Sequence, residues 1–248
     1  MSSNSKASAR AQKAAEMRAA QKKAEARRRI LTIGGVALAM VLIVGGAIAV
    51  SLWQQDKDQA KLEEAVSAAS DYGVAIGPED APHDVVIYED FLCPFCGQLE
   101  NATRDDLARL AADGKVRVEY RPFDLLSQSF GDYPIRATNA FALVLEKSGP
   151  EVAKKFHDLL FENQPSEQDP DAATDDDLVQ LAVEAGATES EVRAGIESLS
   201  HKSWVDEATA EASDAGVEGT PTILLDGKVF QDGRTVEELA GNLVSELE

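Results

Sequence analysis

"EDFLCPFCGQLE", Glu89 to Glu100, holds both cysteines of the 248-residue chain, Cys93 and Cys96, with Pro94 and Phe95 between them. The residues leading into it, "DVVIYEDF", are β-branched and aromatic and predict a strand. Pro94 suits the first position of a helix, where its missing N–H costs nothing. A C-x-x-C pair at such a junction can be a staple, half of a metal site or a reactive pair.

The staple reading is weak because a disulfide stabilises through the loop it closes, and two intervening residues remove little chain entropy. A metal site normally takes four ligands. The other nitrogen donors are His83, His157 and His201, none paired at ligand spacing, and His157 reads as a surface or boundary residue of a helix. No metal and no cofactor is therefore expected. The reactive reading has three supports. Cys93 sits where free N–H groups and the helix dipole favour a thiolate. Cys96, three residues on, lies one helical turn away, within reach of a disulfide. No further cysteine competes within the chain, so the electrons go to another molecule by thiol–disulfide exchange, with Cys93 forming the mixed disulfide and Cys96 resolving it.

Outward from the pair, "DYGVAIG" predicts a strand before "DVVIYEDF", and the helix after the cysteines offers Leu99, Leu107 and Leu110 to a core. "KVRVEYRPF" alternates Val116, Val118 and Tyr120 with charges, the period of a strand. Helical stripes follow: Val152, Phe156, Leu159 and Leu160; then Leu178, Leu181, Ala182 and Ala185; then Val192, Ile196 and Leu199, opened by a Thr188–Glu191 capping box. The acidic stretch Pro165 to Asp177 lacks the Gly and closing Glu of an EF-hand loop and reads as solvated. Asp226-Gly227 within "TPTILLDGKVF" signals a hairpin, and "TVEELAGNLVSEL" a last helix. The order is strand, strand, helix, strand, a block of helices, hairpin, helix: an α/β domain with helices inserted midway.

The N-terminal part differs in kind. Residues 1–29 carry nine Lys or Arg against Glu16 and Glu25, a balance of +7 within an overall −20, which leaves −27 for the remainder. Ile30 to Trp53 contains no charge. As a helix it is roughly 36 Å long at ~1.5 Å per residue, enough to cross a hydrocarbon layer of about 30 Å. It reads as a single transmembrane helix. Arg27, Arg28 and Arg29 then put a basic tail, 1–29, in the cytoplasm and the bulk of the chain outside. The rival reading is a cleaved signal peptide, with Ala47-Ile48-Ala49 as the cleavage pattern. Either one exports the main domain to a setting that permits disulfides. Residues 54–70 form a polar stalk, and the domain runs over 71–248 with its helical insertion at about 133–214. The basic tail reads either as lying against anionic membrane lipids or as a solvated, partly disordered segment, and the acidic remainder keeps an exposed domain soluble and is no footprint for nucleic acid.

From about Asp71 to the end, the chain resembles the DsbA-like branch of the thioredoxin superfamily, in particular its membrane-tethered bacterial forms. The resemblance rests on "DFLCPFC" after a strand, on the midway helical block and on "GVEGTPTILLDGKVF". It implies a thioredoxin-like fold and a thiol–disulfide oxidoreductase that forms disulfides in exported, cysteine-containing proteins and is regenerated by a membrane redox partner. It also implies that Pro221 is cis and, with Thr220, offers backbone hydrogen bonds to an extended substrate beside Cys93 and Cys96.

The chain departs from the pattern twice. Phe95 stands where DsbA has a histidine before the second cysteine, so Cys93 is expected to be less acidic than its counterpart. The reduction potential is then expected between thioredoxin's approximately −270 mV and DsbA's approximately −120 mV. The buried carboxylate often found six residues before the first cysteine is replaced by Ile87; Glu89 or Asp90 can substitute, and Glu89 is equally readable as a solvated strand end. Other readings of the same residues are a disulfide reductase or isomerase, and a non-redox binding module or holdase.

Overall fold

The computed structural model describes residues 70–248. The expected basic tail, transmembrane helix and nearly all of the stalk lie outside the described residues. Among those described, no helix is long and apolar enough to cross a membrane.

Five strands form one sheet: β1 (Val74–Ile76), β2 (His83–Glu89), β3 (Val116–Pro122), β4 (Thr222–Leu225) and β5 (Lys228–Val229), in the spatial order β1-β3-β2-β4-β5. β2 and β3 run parallel, with Val85 opposite Val118 and Ile87 opposite Tyr120. β1 lies antiparallel to β3 and β4 antiparallel to β2, the latter setting Ile87 opposite Ile223. Being central, β2 is covered on both faces, so Val85 to Glu89 are all buried and Val85 to Tyr88 form an unbroken apolar run. Asp226 and Gly227 both adopt positive φ, 51° and 75°, as a two-residue hairpin turn between β4 and β5 requires.

Between β2 and β3 runs α1 (Pro94–Ala112). Between β3 and β4 come α2 (Ser127–Phe130), α3 (Tyr133–Ser148), α4 (Pro150–Glu162), α5 (Asp175–Ala185), α6 (Glu189–Glu197) and α7 (Lys202–Asp214), and α8 (Val236–Leu247) closes the chain. One sheet face carries Val85, Ile87, Val116, Val118 and Tyr120 into a large core with Leu99, Leu107 and Leu110 of α1, Phe141 of α3, Phe156 and Leu160 of α4 and Leu243 of α8. The opposite face carries Val86, Tyr88 and Leu224 into a smaller core with Phe123 and with Ala208 and Ala212 of α7.

Two local expectations are corrected. The Thr188 side chain caps nothing: the Glu191 N–H donates to the Thr188 carbonyl instead. The reciprocal capping box forms at Thr174 and Asp177, which consumes part of the acidic stretch, while Asp175 pairs with Arg136 and Asp176 with Arg193. Leu199 does not extend the α6 stripe, because the helix has ended and Leu199 sits half-buried in a left-handed turn at φ 53°.

Candidate active site

Cys93 is the N-cap of α1, held in extended backbone conformation, and Pro94 starts the helix. The Cys93 N–H donates to the Asp90 carbonyl at 2.9 Å, which fixes the turn out of β2. Both cysteines are unpaired and buried, Cys93 at 5% exposure and Cys96 at 1%. The hydrogen bond from the Cys96 thiol pulls the Cys93 thiol down to about 6. Burial opposes this, while the Thr220 side chain and the backbone N–H groups of Cys96 and Phe95 add to it. The helix end thus contributes as expected, but the largest stabiliser is the partner cysteine. The cost appears on Cys96, whose thiol is pushed well above its ordinary value by burial, by that same hydrogen bond and by the charges of Cys93 and Glu89. The pair is split into one sulfur that ionises readily and one that holds its proton.

Thr220 and Pro221 come in from the far end of the fold, immediately before β4. The peptide bond between them is cis, and the Thr220 carbonyl oxygen lies 3.4 Å from Cys93 Sγ. The four residues singled out in the sequence therefore stand together. Phe95, between the cysteines, is 56% exposed. Beside Pro221 opens a shallow hollow of about 230 Å³, walled by Ile223, Phe230 and Leu239.

Three groups that hold this site were not read from the sequence as site residues. Asp90 is fully buried and accepts from the N–H groups of Leu92, Leu125 and Leu126 at 2.8–2.9 Å, tying the cysteine turn to the loop after β3. Burial lifts its carboxyl to about 7 even though those three donors favour the ion. Gln164, just beyond α4, donates to the carbonyls of both Phe91 and Cys93 at 2.9 Å. Its Oε1 lies 2.6 Å from where a Cβ on residue 97 would stand, so any side chain there would displace the Gln164 amide.

The third is His157. It is no surface or boundary residue: its ring is wholly buried, with Nε2 3.0 Å from Glu89 Oε1. Glu89 is correspondingly no solvated strand end, being 1% exposed. Ile87, at the position where a carboxylate was missed, is plain core between Tyr120 and Ile223. Glu100, on α1, completes a buried Glu89–Glu100–His157 cluster whose ligand-type atoms lie within 4.8 Å of one another.

This arrangement can carry out thiol–disulfide exchange with no cofactor: an ionisable sulfur stands at a helix start beside the Thr220 carbonyl, with its reserve partner one turn on. The comparisons agree. Residues 69–243 match the Thioredoxin_4 model, described as thioredoxin. The reduced form of the disulfide bond oxidoreductase DsbG from Mycobacterium tuberculosis superposes with a TM-score of 0.63 at 27% identity, covering 75% of this chain and 90% of that one. The probable disulfide bond formation protein D of Bacillus cereus is 25% identical over 81% of this chain and 90% of its own. The serine/threonine-protein kinase PknE of Mycobacterium tuberculosis is 27% identical over 68% of this chain, which spans only 31% of that kinase. With the family model spanning most of its length and the fold and site in accord, the chain belongs to the thioredoxin family, in its DsbA-like branch.

Proposed function

We propose that this protein, a thiol–disulfide oxidoreductase of the DsbA type, is an exported and membrane-anchored oxidase that forms disulfides in secreted proteins through its C-P-F-C pair. The observation that carries the reading is the split between Cys93 and Cys96. A first sulfur held down to about 6 is a good leaving and attacking group, and its ionisation stabilises the reduced form, which favours giving a disulfide away. In the oxidised protein a client thiolate attacks Cys93 Sγ and Cys96 departs. A second client thiolate then attacks the client sulfur of the mixed disulfide, releasing Cys93 and leaving the pair reduced and the client oxidised. Thr220 and Pro221 serve as the backbone edge on which an extended client lies, presenting its sulfur to Cys93.

Export and anchoring are supported by the uncharged run Ile30 to Trp53 behind three arginines. A membrane partner returns the pair to the disulfide. Trapping the thiols in intact cells tests the direction of flow: Cys93 and Cys96 found mainly oxidised support an oxidase, and a mainly reduced pair points to reductase or isomerase work. If Cys93→Ser leaves cellular function intact, a binding module replaces both.

A further inference from the structure

We propose that the hollow between residues 163–173 and the exposed face of α5 holds a lysine or arginine side chain of the client, from the residues that flank its reacting cysteine, with Tyr133, Asp177 and Glu184 as the groups that receive it. This rests on the thiol–disulfide reading above and adds to it a class of preferred client.

The hollow measures about 440 Å³, within the range of small-ligand sites, about 300–1,000 Å³. One wall follows from spacing. Asp177, Gln180, Leu181 and Glu184 recur at i, i+3, i+4 and i+7 and share one face of α5. The core takes Val179, Ala182 and Ala185 from the same helix, which leaves that face free. The remaining lining includes Tyr133, at the start of α3, Asn163 and Pro165.

Tyr133 is the group that the fold leaves unsatisfied. It is 1% exposed, and its hydroxyl makes no hydrogen bond among the described residues. That oxygen is not among the polar atoms closed off from solvent, so it opens onto the hollow that the residue lines. A buried hydroxyl without a partner is costly, and a donor arriving from outside removes the cost.

The other groups on offer are mainly acceptors. Asn163 Nδ2 donates to the Leu159 carbonyl, which leaves Oδ1. Asp177 Oδ2 receives the Thr174 N–H and hydroxyl, and these bonds hold its carboxyl below the usual carboxylate range, so it stays ionised with Oδ1 to spare. Glu184 enters no ion pair among the described residues. The nearby cations are already taken: Arg136, 5.9 Å from the Tyr133 ring, pairs with Asp132 and Asp175, and Arg193 pairs with Asp176, Glu189 and Glu197. An occupant must therefore bring donors and positive charge. Asp177 and Glu184 lie roughly 10 Å apart along the helix at ~1.5 Å per residue, too far to share one calcium ion, which gathers its oxygens at 2.3–2.6 Å. A long organic cation meets the need, with its stem along Leu181 and Pro165 and its N–H groups on the acceptors.

The client is the source because the hollow adjoins the cysteines. Gln164, between the lining residues Asn163 and Pro165, donates to the Cys93 carbonyl at 2.9 Å. A segment joined to Cys93 Sγ carries its flanking residues to this side of the turn.

The test oxidises cysteine peptides with the disulfide form of the full chain, comparing arginine with alanine at successive positions on either side of the cysteine. At the favoured position arginine should raise kcat/KM about threefold or more, through KM, and high salt should shrink the advantage. Glu184→Gln and Tyr133→Phe should each cut the arginine-to-alanine ratio by about half or more. Glu246→Gln, which removes the same charge from an exposed position on α8, should leave the ratio as it is. Equal rates for arginine and alanine at every position overturn the proposal. So does a ratio that Glu246→Gln lowers as much as Glu184→Gln, which would assign the preference to the acidity of the whole domain. If Tyr133→Phe does not fold, the surface change Glu184→Gln decides. Oxidation of no peptide at all removes the thiol–disulfide reading itself, an outcome distinct from a working exchange that ignores arginine.

Discussion

Cys93 Sγ and the Thr220 carbonyl oxygen lie 3.4 Å apart although 127 positions separate the two residues in the chain. That contact exists because β4 lies directly beside β2, so the residues just before β4 arrive next to the residues just after β2. Whatever changes the ionisation of Cys93 is therefore felt where a client is expected to lie.

Alkylation of reduced Cys93 by iodoacetamide should titrate near pH 6. In Cys96→Ala the midpoint should move up toward the ordinary thiol range, because the strongest stabiliser of the thiolate is gone. An unmoved midpoint would assign the acidity to Thr220 and the helix end instead.

The depressed Cys93 value also fixes a sign. A group lowered from 9.0 to about 6 on folding stabilises the reduced domain fully above pH 9, and the effect is lost as pH falls through about 6. At pH 7 this is worth about 1.4 kcal/mol, or roughly 30 mV for a two-electron couple. Equilibration with glutathione should give a potential between approximately −270 and −120 mV. A value outside that window contradicts the account of Phe95 and Cys93.

His157 and Asp90 act in the opposite sense. His157 is raised from 6.5 to about 9, so its contribution is complete below pH 6.5 and disappears as pH climbs through 9. Asp90, raised from 3.8 to about 7, favours the folded state below pH 3.8 and loses that contribution by pH 7. Thermal melting of the oxidised protein, whose cysteines do not titrate, should fall between pH 6.5 and 9, and His157→Gln should flatten that slope. A melting point that rises over this range is incompatible with a buried imidazolium.

Gly97→Ala and Gln164→Ala should destabilise by the same mechanism. The first drives the Gln164 amide from its place 2.6 Å from the new Cβ, and the second deletes it; both leave the Phe91 and Cys93 carbonyls without that donor. Each should cost roughly 1–3 kcal/mol in denaturant unfolding. The double variant should cost little more than the larger single one, whereas full additivity would mean that the two positions act separately.

Much of the framework was legible because it is periodic or punctuated. Leu99, Leu107 and Leu110 recur at helical spacing, Val116, Val118 and Tyr120 at strand spacing, and Asp226-Gly227 marks its turn. The residues that hold the cysteines in place have no such period. His157 meets Glu89 across 68 positions, and Gln164 meets Cys93 across 71. The one available clue was that Glu89 shares the strand parity of Ile87, which places it on the core side of β2. Thr188 misled for a different reason: the spacing of a capping box was present, but the backbone carbonyl took the N–H that the hydroxyl was assigned.

The margins of the sheet are β1, three residues long, and β5, two. Among the described residues, an unfolded polypeptide finds no long edge strand on which to add itself as a further strand. If the proposed clients arrive unfolded, these short margins spare the domain from seeding their aggregation.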